Sequence, residues 1–155
     1  MREHKYKAKR LDNGEWIEGY YWQNSCGNHF IRAIDEQGEF ILIDVEIDPD
    51  TLCEFTGLTD KNDKYIWEND IVKIQHFTNR PYSKYAKEKQ FNGYVYWKES
   101  KFNGNSKYKE QIYAGKWDVK INQDIGAFSY GSWGRLWNCK VIGNIFDNPE
   151  LLEVK

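Results

Sequence analysis

The sequence predicts an all-β protein, and three observations carry that expectation. Aromatic residues make up 17% of the chain, with 7 Trp, 11 Tyr and 8 Phe, and rings pack well on a pleated surface. Apolar and polar residues alternate with period 2 over most runs, and no long stretch has the 3.6 period of an amphipathic helix. Clusters of Asn, Gly, Asp and Ser separate about ten short runs, the spacing of a sandwich or a small barrel.

The runs follow in order. Tyr6 to Arg10 alternates weakly and Glu15 to Gln23 is rich in Trp and Tyr. Between them Asn13-Gly14 predicts a hairpin, because both residues tolerate positive φ. Ser25-Cys26-Gly27-Asn28 reads as a turn, His29 to Ile34 as a strand and Glu36-Gln37-Gly38 as a second turn. Phe40 to Asp48 has the sharpest alternation, with Ile41, Ile43, Val45 and Ile47 on one face and Asp44, Glu46 and Asp48 on the other. A slip of one residue would drive three carboxylates into the core, so the register is strongly specified. Pro49 ends this run, since proline cannot donate to a strand ladder.

Thr59 to Ile66 encloses a polar tight turn, Asp60-Lys61-Asn62-Asp63-Lys64. Asp70 to Phe77 is a strand with Val72 and Ile74 inward. A long polar loop is expected at 78–91, then a strand at Gly93 to Lys98 whose Tyr94-Val95-Tyr96-Trp97 is covered on both faces. A second polar stretch fills 99–111. Trp117, Val119 and Ile121 alternate with Asp118 and Lys120, and Phe128 to Ser132 and Leu136 to Ile145 complete the strands. Pro149 and Glu150 suit the first turn of a short helix.

The chain has 155 residues, enough for one domain or two small ones. The change in composition near 50–58 divides it into an N-terminal β lobe of residues 1–55 and a small barrel of residues 56–155, with insertions at 78–91 and 99–111. No apolar run is long enough to cross a membrane as a helix. The charged start has no apolar segment after it, so a cytoplasmic protein without signal peptide is expected. Three widely spaced cysteines, Cys26, Cys53 and Cys139, read as reduced thiols rather than a disulfide framework. Net charge is −2 but unevenly spread: residues 1–58 carry 6 Lys/Arg and 12 Asp/Glu, whereas residues 73–120 carry 11 and 4. Such a split informs on partners rather than on fold.

Four residue blocks resemble the YopX family. They are Met1 to Trp16; Ile47-Asp48-Pro49-Asp50-Thr51-Leu52; Phe55-Thr56-Gly57-Leu58-Thr59-Asp60 through Tyr65-Ile66-Trp67-Glu68-Asn69-Asp70-Ile71-Val72; and Val141-Ile142-Gly143-Asn144-Ile145-Phe146-Asp147-Asn148-Pro149-Glu150-Leu151-Leu152. They run from one terminus to the other in the family's order. The resemblance implies a phage or prophage protein of a bacterial host, an SH3-like barrel and a tendency to homo-oligomers. It implies no biochemical activity and no catalytic residues. Two positions depart from the family pattern: Asn62-Asp63 stands where Asn-Gly is usual, and Asn69 stands before Asp70 where Gly is usual. Asn and Asp tolerate positive φ next best after Gly, so the turns are expected to survive.

The candidate sites divide sharply. Cys26 and His29 have a C-x-x-H spacing but no second ligand pair, so no metal and no cofactor is expected. Asp44, Glu46, Asp48 and Asp50 lie too far apart along one strand to share an ion, and read as a solvated face. Ser129, Ser132 and His76 form no nucleophile motif. Cys139 alternates with Trp137 and Val141, as a core thiol does. Asp60, Asp63, Glu68 and Asp70 could serve a hydrolase as acid and base, yet each also suits a turn. No small-molecule substrate is identified, and the chain reads as non-enzymatic.

The basic, aromatic stretch carries the positive proposals. Arg80, Lys84, Tyr85, Lys87, Tyr94, Tyr96, Lys98, Lys101, Lys107 and Lys109 are the candidate contacts, since cations neutralise phosphates and rings stack on unpaired bases. Two readings follow: a homo-oligomer in which the acidic and basic regions of neighbouring copies meet, and the binding of single-stranded nucleic acid. Plain solubility of lysine-rich loops is the bland alternative.

Overall fold

The structure is a computed structural model that describes residues 4–34, 40–77, 88–98, 116–121 and 139–153. Its elements are strands β1 (Tyr6–Lys9), β2 (Trp16–Gln23), β3 (His29–Ile34), β4 (Phe40–Glu46), β5 (Cys53–Thr59), β6 (Tyr65–Trp67), β7 (Asp70–Phe77), β8 (Glu88–Lys98), β9 (Lys116–Ile121) and β10 (Lys140–Asn144). Short 3₁₀ turns at Pro49–Thr51 and Pro149–Leu152 complete the set, and no α-helix occurs among the described residues. The protein is all-β. The chain divides into two units, Met1–Gly57 and Leu58–Lys155, and β5 passes from the first into the second.

In the first unit the sheet order is β4-β3-β2-β1-β5. Strands β1 to β4 form a meander, and β5 returns to lie beside β1 with Tyr6 opposite Glu54 and Lys7 opposite Cys53. The Asn13-Gly14 hairpin forms as its sequence demands. Gly14 has φ 73°, its N–H donates to the Arg10 carbonyl at 3.0 Å, and the Asn13 side chain accepts from the Glu15 N–H at 2.9 Å. Past β4 the chain crosses to the end of β1. There Asp48 N–H donates to the Lys9 carbonyl and Leu11 N–H to the Glu46 carbonyl. The small core is Ala8, Ile31 and Ile47, with Tyr6, Ile17 and Leu52 packed against it.

Strand β4 departs from its expected alternation. Ile47 is buried and Val45 half-buried, but Ile43 is 58% exposed. Pairing with β3 runs regularly to Arg32 opposite Asp44 and resumes at Ile34 opposite Phe40. Three β4 residues there face one β3 residue, and among the described residues β4 has a single neighbour. The slip at an edge takes Ile43 out of the core face.

In the second unit the order is β10-β7-β8-β9, all antiparallel. Three successive strands followed by a fourth that returns beside the first is Greek-key order. Among the described residues this sheet is open and no barrel closes. One face holds the core: Ile66, Val72, Ile74, Val95, Val119, Cys139 and Val141, with Phe91 and Trp117 against it. Val72 and Ile74 point inward as their alternation requires, and so do Trp117 and Val119.

Two expectations are corrected here. Residues 88–91 belong to strand rather than loop, because β7 is long enough to pair with them through Phe77 opposite Glu88. Of the Tyr94–Trp97 run only Val95 is fully covered. Tyr94 and Tyr96 are half-buried and Trp97 is 37% exposed. The expected turn at 36–38, the remainder of the 78–91 loop, the 99–111 stretch and the 128–132 strand lie outside the described residues, as do residues 136–138 of the last strand.

Candidate functional site

Residues directly opposite one another in an antiparallel pair share a face. Register therefore defines what the second sheet presents on the side away from its core. Lys140 is opposite Lys73, and Lys73 is opposite Asn92. Ile71, which is fully buried, is opposite Tyr94, and Tyr94 is opposite Lys120. Tyr96 is opposite Asp118, and Lys98 is in register with Lys116. Lys73, Lys120 and Lys140 are exposed. The Tyr94 and Tyr96 rings lie 6.2 Å apart with their planes tilted by 56°. The Asn92 amide donates to the Leu151 carbonyl at 2.9 Å, which brings the C-terminal 3₁₀ turn over one end of the face.

Charge in these rows is mostly positive. Asp118 is the acid in these rows. It is only 6% exposed and accepts from the Val119 N–H at 2.8 Å. Among the described residues neither Lys73, Lys120 nor Lys140 forms an ion pair.

Of the ten contacts read from the sequence, Tyr94 and Tyr96 come together here and Lys98 joins by register. Arg80, Lys84, Tyr85, Lys87, Lys101, Lys107 and Lys109 lie outside the described residues. Lys140 was missed. It precedes the inward Val141, so the period-2 pattern turns it outward, but nothing in the sequence names β7 as its neighbour.

Two acids of the central block, Asp60 and Asp70, are turn-formers. Asp60 is 5% exposed. Its Oδ1 accepts from the N–H groups of Asn62 at 2.8 Å and Lys64 at 3.0 Å. Its Oδ2 accepts from Val141 N–H at 2.9 Å. Burial is the largest influence on this carboxyl and pushes its pKa up. The three backbone donors of Val141, Lys64 and Asn62 together outweigh it, so the pKa ends below the ordinary 3.8. Asp70 accepts from Trp67 N–H at 2.9 Å across the next turn.

The other candidates also resolve into local roles. Cys26 is exposed in the Asn24–Asn28 turn, while His29 Nδ1 lies 2.7 Å from the Tyr21 hydroxyl. Asp44 is held by the forked guanidinium of Arg32 at 2.9 and 3.0 Å and by the Trp22 indole N–H. Hydrogen bonding to Arg32 holds its carboxyl below the ordinary value. Glu46 takes the Asn28 amide and Asp48 caps the Pro49–Thr51 turn. Burial pushes the Cys139 thiol up to about 11, with the Asp60 charge adding to it, which makes it inert as a nucleophile.

The first sheet also has a distinctive outer face. Lys7 and Lys9 lie over the Trp16 ring at 5.1 and 5.5 Å. Trp22 stacks on Phe30 at 4.8 Å. Tyr20 and Trp22 are 38% and 37% exposed.

The sequence profile of the YopX protein family matches residues 5–153. The chain belongs to the YopX family. No curated protein matches it. Among solved structures, the crystal structure of protein EF1440 from Enterococcus faecalis is similar, with a TM-score of 0.42 and 20% identity over 99% of this chain and 100% of that one.

In this YopX-family chain the two departures from the family's turn pattern are the two non-glycine residues with positive φ among the described ones: Asp63 at 61° and Asn69 at 64°. Asp63 ends a three-residue hairpin loop, the position that favours glycine. Replacing the exposed Asp63 with Gly is expected to raise stability by about 0.5 kcal/mol, the relief of left-handed backbone less the added chain entropy. Denaturant midpoints of the two proteins check it, and an unchanged or lower midpoint refutes it.

Proposed function

We propose that the chain is a non-enzymatic accessory protein of phage or prophage origin that works in the bacterial cytoplasm as a self-assembling homo-oligomer. On this reading residues 1–55 are an accessory β lobe and residues 56–155 an SH3-like barrel. The Greek-key return of β10 to β7 supports the second part of that division. The observation that carries self-assembly is the outer face of the first sheet. Exposed Tyr20 and Trp22 sit among Arg32, Asp44, Glu18 and Lys7 there, and Tyr, Trp and Arg are the side chains enriched in interface cores. The excess of acids in residues 1–58 and of bases in residues 73–120 favours contact between unlike regions of two copies. Engagement of the Asp60 and Asp70 carboxylates in turns supports a non-catalytic role.

Sedimentation of the full chain at about 50 mM and about 500 mM salt tests the proposal, because screening weakens contacts between exposed charges. A multimer at micromolar concentration in low salt, smaller in high salt and weakened by Trp22→Ala, is the expected result. A monomer in low salt refutes it. No helix among the described residues is long and apolar enough to cross a membrane.

A second reading, binding of single-stranded nucleic acid through the 73–120 region, is favoured by the excess of lysines and the paired rings on the second sheet.

A further inference from the structure

We infer that single-stranded nucleic acid runs along β8 on the outer face of the second sheet, its phosphates held at one end by Lys73 and Lys140 and its bases stacked on Tyr94 and Tyr96. The inference rests on the nucleic-acid reading. It adds a location, and it adds a residue from β10 that lies outside the basic stretch.

Lys140 and Lys73 stand directly opposite each other. Like charges directly opposite on a sheet destabilise it, and a protein that needs only solubility can place these lysines elsewhere. The positions beside them on this face, Asn92, Ile71 and Tyr94, carry no acid to offset the repulsion. A bound polyanion offsets it. Lys98 is in register with Lys116 near the other end of β8. From Asn92 to Lys98 the strand covers about 20 Å at its usual rise, long enough to follow several nucleotides.

Tyr94 and Tyr96 occupy the middle rows, half-buried and so fixed in place, yet accessible. Lys120 flanks Tyr94. Rings interleaved with cations suit a ligand that carries flat π-faces on an anionic backbone, and such stacking tolerates any base. An acidic peptide would use the lysines and gain little from the rings. The 3₁₀ turn at Pro149–Leu152 bonds Asn92 through the Leu151 carbonyl and so borders the track at its Asn92 end.

The test is a fluorescence-anisotropy titration of the full chain with a labelled oligothymidylate of about 15 nucleotides, at several salt concentrations. Wild type is expected to bind at low salt. The double variant Lys73→Gln, Lys140→Gln is expected to bind at least about tenfold more weakly and to lower the salt slope by about 2. Both positions are exposed, and the double change removes a repulsion, so its denaturation midpoint should match or exceed that of wild type. Tyr96→Leu is expected to weaken oligothymidylate binding while leaving competition by inorganic polyphosphate unchanged.

Binding by wild type with the double variant unaffected overturns the location and leaves the nucleic-acid reading standing on the other lysines of residues 73–120. Absence of wild-type binding overturns both. Equal competition by polyphosphate with Tyr96→Leu inert, or equal competition by poly-glutamate, overturns nucleic acid as the occupant of this face.

Discussion

Gly19→Ala is expected to remove about 3 kcal/mol or more of stability, the upper range for a single substitution, through backbone overlap. Gly19 sits inside β2, opposite Ala33 on one side and Tyr6 on the other. A Cβ placed there would lie 1.9 Å from the Arg32 carbonyl oxygen, 2.7 Å from its carbon and 2.9 Å from Ile31 Cγ2. The first two are main-chain atoms of the paired strand, so no rotamer change relieves them. Ile31 is fully buried in the small core, and pushing β3 away opens that core as well. Gly27 supplies the contrast. It has φ 86° in an exposed turn and its nearest neighbour is a flexible side chain at 3.8 Å, so Gly27→Ala is expected to lose only about 1 kcal/mol through backbone strain. Urea denaturation followed by tryptophan fluorescence reads both. Equal losses at the two glycines would show that crowding at Gly19 is absent.

Asp60→Ala is expected to destabilise the second unit by about 3 kcal/mol, because three backbone N–H groups, the Val141 one buried, lose a charged acceptor. Asp60→Asn should lose less, about 2 kcal/mol. Its amide keeps one oxygen for two donors but turns an NH₂ toward a third N–H. The pH dependence separates this account from simple loss of shape. The folded-state pKa of Asp60 lies below its ordinary value, so its ionised form contributes stability above the unfolded pKa. That contribution is lost as pH falls through the lower, folded value. The gap between wild type and Asp60→Asn is therefore widest near neutrality and narrows in acid below about pH 4. Denaturation series at neutral and acid pH measure the gap. A gap that stays constant into acid would exclude the ionised carboxylate as the stabilising species.

These two residues also mark where sequence reading stops. Alternation was enough to place Val72, Ile74, Trp117 and Val119 on the core side, since burial on one face leaves that pattern in the chain itself. The Asn13-Gly14 hairpin and the turn-forming acids were legible for the same reason: their chemistry is local. Gly19 was not, because it stands in an aromatic run and only the neighbouring strand's backbone requires it to be small. The third bond of Asp60 was not, because its donor is a main-chain N–H 81 residues away and any residue but proline carries one. Ile43 followed the inward pattern yet lies exposed, because an edge slip depends on pairing rather than on composition. The candidate face shared this limit. Tyr94 and Tyr96 announce themselves within one strand, whereas Lys140 joins them only through strand order.

The return of β10 to the side of β7 sets a timetable for biosynthesis. As the chain leaves the ribosome, Asp60 meets its two local donors at once, but the donor on Val141 follows roughly 4–16 s later at ordinary elongation rates. Until then β7 lacks its outer neighbour and the nascent second unit exposes apolar surface that Val141 will later cover. The first unit carries no such delay, since its returning strand β5 emerges within the first 59 residues. Its sheet can therefore be complete while the second unit is still waiting for its last strand.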